Sequence, residues 1–257
     1  MPAYSFDLTG RTALVTGASS GIGYRFAQAL AAEGAQVVLG ARRVERLHAL
    51  QAAIEADGGR AVAVAMDVSD EASVIAAFDA AEQAFGCVDS VVANAGTNSP
   101  ASALDLPMAD FDAVIAANLR GVFLTAREGA RRMIANDART GGRGRIVAIS
   151  SITARHVTAG VAAYAASKAA VTQLCRVLAK EWAAEGVNVN VIEPGYMTTE
   201  LTEDLWNRER GQKLLASFPR NRIMSVEALI PLMLHLCSDA SGEVTGSVFT
   251  VDDGQTL

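Results

Sequence analysis

Seven short apolar runs, at about 12–16, 36–40, 62–66, 88–93, 145–150, 187–192 and 247–251, alternate with helical stretches along the chain. Alternating β and α segments bury their apolar faces best in a parallel sheet whose strands are covered on both sides by the crossover helices. No linker, repeat or low-complexity segment interrupts the pattern, and 257 residues are enough for a large core. The expectation is an α/β, doubly wound Rossmann-type fold: a mainly parallel sheet of seven strands, helices on both faces, and one domain spanning 1–257. The long irregular region, 196–222, is expected to be a substrate lid within it.

The first run, Thr12-Ala13-Leu14-Val15, leads into Thr16-Gly17-Ala18-Ser19-Ser20-Gly21-Ile22-Gly23 and then a helical stretch from Tyr24 to Glu33, stopped by Gly34. A glycine-rich strand-to-helix turn brings backbone N–H groups and a helix N-terminus to a pyrophosphate without needing a basic side chain. The spacing is Gly-x-x-x-Gly-x-Gly, one residue longer between its first two glycines than the commonest dinucleotide fingerprint. Alone it could be only a tight turn. With the second strand, Gln36-Val37-Val38-Leu39, it becomes a βαβ nucleotide site.

Downstream, Tyr164-Ala-Ala-Ser-Lys168 lies in a helix-prone stretch, and Ser151 follows the apolar run Ile146-Val147-Ala148-Ile149. The i,i+4 spacing puts the phenol and the ammonium on one helix face, so Lys168 is expected to lower the Tyr164 pKa. An unperturbed phenol, with a pKa of about 10, is a poor acid–base catalyst near neutrality, and a nearby cation can lower that by roughly 1–3 units. Tyr-x-x-x-Lys is nevertheless common on ordinary amphipathic helices, so the motif gains meaning from its company.

That company is Asp67-Val68 after the third strand, Asn94-Ala95-Gly96 after the fourth, Asn118 in a helix, Ser151 thirteen residues before Tyr164, and Pro194-Gly195 after the sixth. In this order, with the glycine turn and the Tyr–Lys pair, the chain resembles the short-chain dehydrogenase/reductase family in its compact single-domain branch, over nearly its whole length. The resemblance implies catalysis by Asn118, Ser151, Tyr164 and Lys168. Tyr164 would exchange a proton with the substrate oxygen, Lys168 would hold the nicotinamide ribose, and Ser151, with Ser150 as its confounder, would orient the reacting oxygen. Asn118 would position a water in a proton relay to Lys168.

The same resemblance implies cofactor contacts from Gly17, Ser19, Ser20, Gly21, Ile22 and Gly23, from Asp67 and Val68 at the adenine, and from Asn94, Ala95 and Gly96 beneath the ribose. Tyr164, Lys168, Pro194, Gly195, Met197 and Thr199 would complete the nicotinamide side, with Thr198 the alternative to Thr199. An NAD site usually carries Asp or Glu at the end of the second strand, whereas a 2′-phosphate calls for an arginine. The chain reads Gly40-Ala41-Arg42-Arg43 there. NADP(H) is favoured, with Arg42 and Arg43 beside the phosphate, and NAD(H) stays open. The bland readings are that the two arginines begin a solvated helix, and that Asp67 is a turn residue ahead of a helix capped by Ser69.

Cys87, Cys175 and Cys237 are scattered and odd in number, and with the isolated His48, His156 and His235 they show no metal-ligand spacing. No metal is expected. A net charge of −6 argues against a nucleic-acid partner and gives no reason to expect an anionic membrane. The start, Met1 to Asp7, lacks a signal-peptide pattern, so a cytoplasmic protein is expected.

The substrate is a small molecule whose expected contacts are Ser151, Thr153, His156, Tyr164 and Tyr196. Inward-reaching Arg155 or His156 would favour an anionic or hydroxylated compound; facing solvent, they would leave a mainly apolar pocket. Leu201, Leu205, Trp206, Leu214, Leu215 and Phe218 supply the lid's apolar face. A ketone or alcohol of a small hydroxylated or sugar-acid-like compound is favoured. The second enzyme reading is a 3-oxoacyl-thioester (acyl-carrier-protein or CoA) reductase, weakened by Glu185 at a position basic in such enzymes but kept open by Arg131, Arg132, Arg139, Arg143 and Arg145. A non-catalytic nucleotide sensor is the third. Family habit and the alanine-rich stretches 113–117 and 161–170 imply a homotetramer or homodimer, with Asp253 departing from the usual Val-Asp-Gly-Gly near the C-terminus.

Overall fold

The computed structural model describes residues 6–137, 141–200 and 202–257. The N-terminal start, Arg139 and Leu201, on which sequence expectations fell, lie outside the described residues. The strands β1 (Thr12–Thr16), β2 (Gln36–Ala41), β3 (Arg60–Ala65), β4 (Ser90–Ala93), β5 (Gly144–Ile149), β6 (Val187–Pro194) and β7 (Val248–Val251) form one sheet in the order β3-β2-β1-β4-β5-β6-β7. Every pairing is parallel.

The helices are α1 (Gly21–Ala32), α2 (Val44–Ala56), α3 (Glu71–Phe85), α4 (Met108–Ile115), α5 (Gly121–Ala135), α6 (Ala162–Trp182), α7 (Glu203–Trp206), α8 (Glu209–Ser217) and α9 (Ile230–Cys237). Successive strand residues point to opposite faces, so each apolar strand feeds two cores. Ala13, Val15, Val37 and Leu39 pack with Phe26 and Leu30 of α1, Leu47 and Leu50 of α2, and Met233 and Leu236 of α9. Leu14, Val38, Val91 and Ile146 pack on the other side with Phe78 of α3, Leu124 and Met133 of α5, and Cys175 and Leu178 of α6.

Strand order reverses between β1 and β4, and in such sheets the crevice at the carboxyl ends of the two strands receives the ligand. Thr16 fastens this edge. Its hydroxyl accepts from the backbone N–H groups of Asn94 and Ala95, each at 3.0 Å, and its carbonyl accepts from Asn94 Nδ2 at 3.0 Å. The Gly17 turn packs so closely on this loop that a Cβ there would lie 2.9 Å from Ala95 Cα, and its φ of +69° disfavours any side chain. A Cβ on Gly23 would stand 2.5 Å from the Gly17 carbonyl, so α1 can close on the turn only as glycine.

Two local expectations are corrected. The N-cap of α3 is Asp70, whose carboxylate accepts from the N–H groups of Ala72 and Ser73; Ser69 instead donates through N–H and Oγ to Asp67 Oδ1, at 2.9 and 2.6 Å. Asp67 is thus already engaged in a turn of the kind that the sequence left open for it. The segment 196–222 is not irregular throughout, since it contains α7 and α8.

Candidate active site

The carboxyl end of β5 and the first turns of α6 bring the expected reacting groups together. Ser151 leaves β5 in extended backbone and opens a short 3-10 turn, Ile152–Ala154, with its Oγ accepting from the Thr153 N–H at 3.2 Å. The same hydroxyl lies near enough to the Tyr164 phenol to favour its ionised form. Ser150, the competing serine, points the other way: its hydroxyl donates to the Lys168 carbonyl at 2.9 Å and accepts from Thr172.

Lys168 is buried, donates from Nζ to the Ile149 carbonyl at 2.8 Å, and lies 5.5 Å from the centre of the Tyr164 ring. Burial pushes its ammonium down to about 8. The expectation that Lys168 depresses Tyr164 is not met in the resting protein. Burial raises the phenol above its ordinary value, the Ser151 hydroxyl opposes that, and the nearby Tyr196 adds to the rise. The physical reason is that Lys168 is itself buried and directs its Nζ hydrogen bond to a carbonyl.

Asn118 is fully buried in a π-helical turn, Ala116–Arg120, between α4 and α5. Its Oδ1 accepts from the Thr97 N–H at 2.8 Å, and its Nδ2 donates to the Thr97 carbonyl at 2.9 Å and to Ser167 Oγ at 3.0 Å. Between Asn118 and Lys168 lies Gly96, where a Cβ would stand 3.2 Å from Asn118 Oδ1 and 3.6 Å from Lys168 Nζ. The side chain of Asn118 therefore locks the loop after β4 against α6, one residue from the ammonium.

Above Tyr164 the walls are aromatic and polar. Tyr196 stacks on Phe218, meets Trp206 edge-on, and shares a 3.2 Å hydrogen bond with Thr158. Neither basic candidate contributes. Arg155 turns away to the buried Glu193, with Nε 3.0 Å from Oε2, and to Thr250 Oγ1; His156 is exposed. Asn98 Oδ1, Thr153 Oγ1 and Trp206 Nε1 are buried without a hydrogen-bond partner. Of these only Thr153 was anticipated; Asn98, four residues beyond Asn94, and Trp206, which was read as apolar lid, carried no signal of their own in the sequence.

The glycine turn meets the requirements of a dinucleotide. Ser20 is the N-cap of α1, yet its side chain makes no capping bond, which leaves the helix's first N–H groups open to an anion. Thr199 closes the crevice from the far side, its Cβ 3.6 Å from where a Gly21 Cβ would stand, whereas Thr198 is exposed. Arg42 is exposed and close enough to Asp67 to help hold its carboxyl below the usual range, after the two Ser69 hydrogen bonds. Arg43 donates to both Ser19 Oγ and Ser20 Oγ, the latter at 2.7 Å.

Val68 is buried against Gly121, Ile22 packs on the first core, and Pro194 ends β6. Gly195 donates to the Val251 carbonyl at 2.9 Å. Met197 places its side chain in the core, beside Met224. No group of His, Cys, Asp or Glu among the described residues could hold a metal ion.

The described arginines of the basic patch that kept an acyl-carrier partner open are engaged within the chain. Arg132 is held by Asp79, Glu82 and Glu128, and Arg131 by Glu128. Arg145 is buried on the carbonyls of Gly142, Gly144 and Ser238, and Arg143 donates to the Gly10 carbonyl.

Residues 11–210 match the family described as short chain dehydrogenase. Among curated proteins the chain is 38% identical over 253 residues to the gluconate 5-dehydrogenase of Gluconobacter oxydans (strain 621H), covering 98% of this chain and 97% of that one. It is 37% identical over 254 residues to the D-threitol dehydrogenase of Mycolicibacterium smegmatis, covering 99% and 96%. Among solved structures, a gluconate 5-dehydrogenase from Burkholderia cenocepacia J2315 in complex with NADP and tartrate superposes with a TM-score of 0.91 at 35% identity, over 98% of this chain and 97% of that one.

Proposed function

The chain belongs to the short-chain dehydrogenase family of oxidoreductases that act on secondary alcohols, and from that premise we propose that it interconverts the alcohol and ketone of a small sugar-acid-like or polyhydroxylated compound with NADP(H). The observation that carries the chemistry is the meeting of Ser151 and Tyr164 beside the buried Lys168 at the carboxyl end of β5. When bound, the nicotinamide supplies or takes the hydride at the substrate carbon. Tyr164 gives its proton to the carbonyl oxygen during reduction and takes it back from the alcohol during oxidation. Ser151 donates to that oxygen, orienting it and stabilising charge as it develops. Lys168 holds the nicotinamide ribose beside the loop that Asn118 locks.

Three of the buried, unpartnered polar atoms, on Asn98, Thr153 and Trp206, support a hydroxylated substrate. An acceptor on Asn98, a donor–acceptor on Thr153 and a donor on Trp206 are stranded polar groups until hydroxyl or carboxylate atoms meet them. The names of the gluconate and threitol dehydrogenases support the same class. With Arg131, Arg132, Arg143 and Arg145 tied down, an acidic carrier protein finds little to bind.

The reading also includes a cytoplasmic homotetramer or homodimer. Three free thiols suit a reducing compartment, and the exposed Val177 on the outer face of α6 suits helix pairing. No described helix is long and apolar enough to cross a membrane.

The test is a panel of aldonic acids, polyols, their keto forms and acetoacetyl thioesters, assayed in both directions with both cofactors. The highest kcat/KM should fall on a sugar acid or polyol with NADP(H). Preference for the thioesters would transfer the chain to the acyl-reductase reading, and cofactor binding without turnover on any compound would make it a sensor.

A further inference from the structure

Where the lid leaves the sheet, it reaches across the glycine turn and places a carboxylate among the basic groups opposite. Glu200 Oε2 accepts from Arg43 at 2.9 Å, and Oε1 accepts from Arg46. The Ser20 hydroxyl also helps keep this carboxylate ionised, while Arg43 holds the hydroxyls of Ser19 and Ser20. Three segments distant in sequence thus meet in one anion cradle: the β1–α1 turn, the start of α2, and the lid. The arginines hold the Glu200 carboxyl down to about 2, so it is an anion at any working pH.

We propose that Ser19, Ser20, Arg43 and Arg46 form the seat of the cofactor's 2′-phosphate, and that Glu200 is an internal competitor for it, so that the phosphate releases the lid as it binds. The inference rests on the NADP(H) reading. A planar carboxylate and a tetrahedral phosphate monoester each offer paired anionic oxygens to guanidinium groups, as Glu200 does to Arg43 and Arg46. The dianionic phosphate displaces the carboxylate, which then leaves with the lid. A cofactor lacking the phosphate leaves Glu200 on Arg43 and Arg46, and the lid stays latched. Glu200 thereby makes the lid responsive to which dinucleotide is bound, a property that Arg42 alone, exposed and outside this set, does not provide.

The probes are 2′,5′-ADP and 5′-AMP, which differ by the phosphate in question, titrated calorimetrically into the full chain and into Glu200→Gln and Glu200→Ala. Exposed ion pairs are individually weak, so removing two of them should tighten 2′,5′-ADP by about three- to tenfold and leave 5′-AMP unchanged. In parallel, tryptic cleavage after Arg208, Arg210 and Lys213 reports the lid. Saturating 2′,5′-ADP should speed it in the parent, 5′-AMP should not, and both Glu200 variants should be cut fast without ligand. Arg43→Ala should abolish the parent's preference for 2′,5′-ADP.

If the parent prefers 2′,5′-ADP but the Glu200 variants bind it no more tightly and are cut no faster, the competitor is wrong while the NADP(H) reading stands. A parent indifferent to the 2′-phosphate would overturn both.

Discussion

Lys168 and Tyr164 sit on one face of α6 with the ammonium 5.5 Å from the phenol ring, yet the lysine's hydrogen bond goes to the Ile149 carbonyl. The pair is assembled for chemistry but not charged for it. In the resting protein burial keeps the phenol protonated, which suits reduction, whereas oxidation needs the phenolate. The oxidative rate should therefore rise with pH through the alkaline range and the reductive rate should not. A pH profile in each direction checks this, and parallel profiles would remove Tyr164 as the titrating group.

Tyr164→Phe keeps the packing and removes the proton carrier. Turnover should fall by about 10²–10⁴-fold while the melting temperature and NADPH binding stay near the parent's. Ser151→Ala removes one donor to the reacting oxygen and should lower kcat by about 10²–10³-fold. Near-parental reduction by a well-folded Tyr164→Phe protein would require another acid.

Lys168 should also be a measurable liability to the fold. Its pKa is about 8 folded against an ordinary 10.5, so the folded state resists protonation of this group. The sign follows from linkage: the penalty is complete below about pH 8 and fades as pH climbs toward 10.5, where the unfolded chain loses the proton as well. Lys168→Met should abolish activity and yet raise the melting temperature at pH 7, by about 2–4 °C for each kcal/mol recovered. The gain should shrink by pH 9.5. Thermal melts at the two pH values test it, and a gain that grows with pH would contradict a buried cation.

The fold and the reacting set were legible because each rests on a pattern with one cheap solution. Seven apolar runs separated by helical stretches admit little but a covered parallel sheet, and Gly17 and Gly23 stand where backbone meets backbone. What escaped depends on which way a side chain turns. Arg155 and His156 flank Ser151 in sequence, but the Glu193 carboxylate, buried on β6, captures the first and solvent takes the second. Trp206 reads as apolar lid, since a sequence does not reveal that its indole N–H is buried without a partner. The pairing of Glu200 carried no sequence signal, because its two arginines come from residues 43 and 46, across the crevice.

Asp253 is a case in which structure explains a departure noted in sequence. Its φ is +54°, a conformation natural to the glycine usual there, and its carboxylate is held by Arg220 at 3.1 Å and by Arg222 at 2.6 Å. Asp253→Ala and Asp253→Gly lose the same ion pairs, but only alanine keeps a Cβ in the left-handed region. The glycine variant should be more stable than the alanine variant by about 1 kcal/mol. Equal unfolding free energies from urea melts would mean that the backbone does not hold this conformation in solution.

Thr153 allows substrate recognition to be separated from catalysis, because its hydroxyl is buried and unpartnered one turn from Ser151, while its N–H already supports the Ser151 oxygen. Thr153→Val removes the hydroxyl at nearly constant shape and leaves that N–H in place. A stranded polar atom costs about 1–3 kcal/mol, so the resting protein should become more stable. If the hydroxyl meets a substrate hydroxyl, the same change should lower kcat/KM for the best polyol or sugar acid by about 5- to 150-fold, mostly through KM. A plain cyclic ketone, with nothing to offer Thr153, should lose little. Trp206→Phe should discriminate in the same direction by deleting the indole donor. Equal losses on both substrate types would assign the two residues to shaping the pocket, and unchanged kinetics on every substrate would place the hydroxylated end of the substrate elsewhere in the crevice.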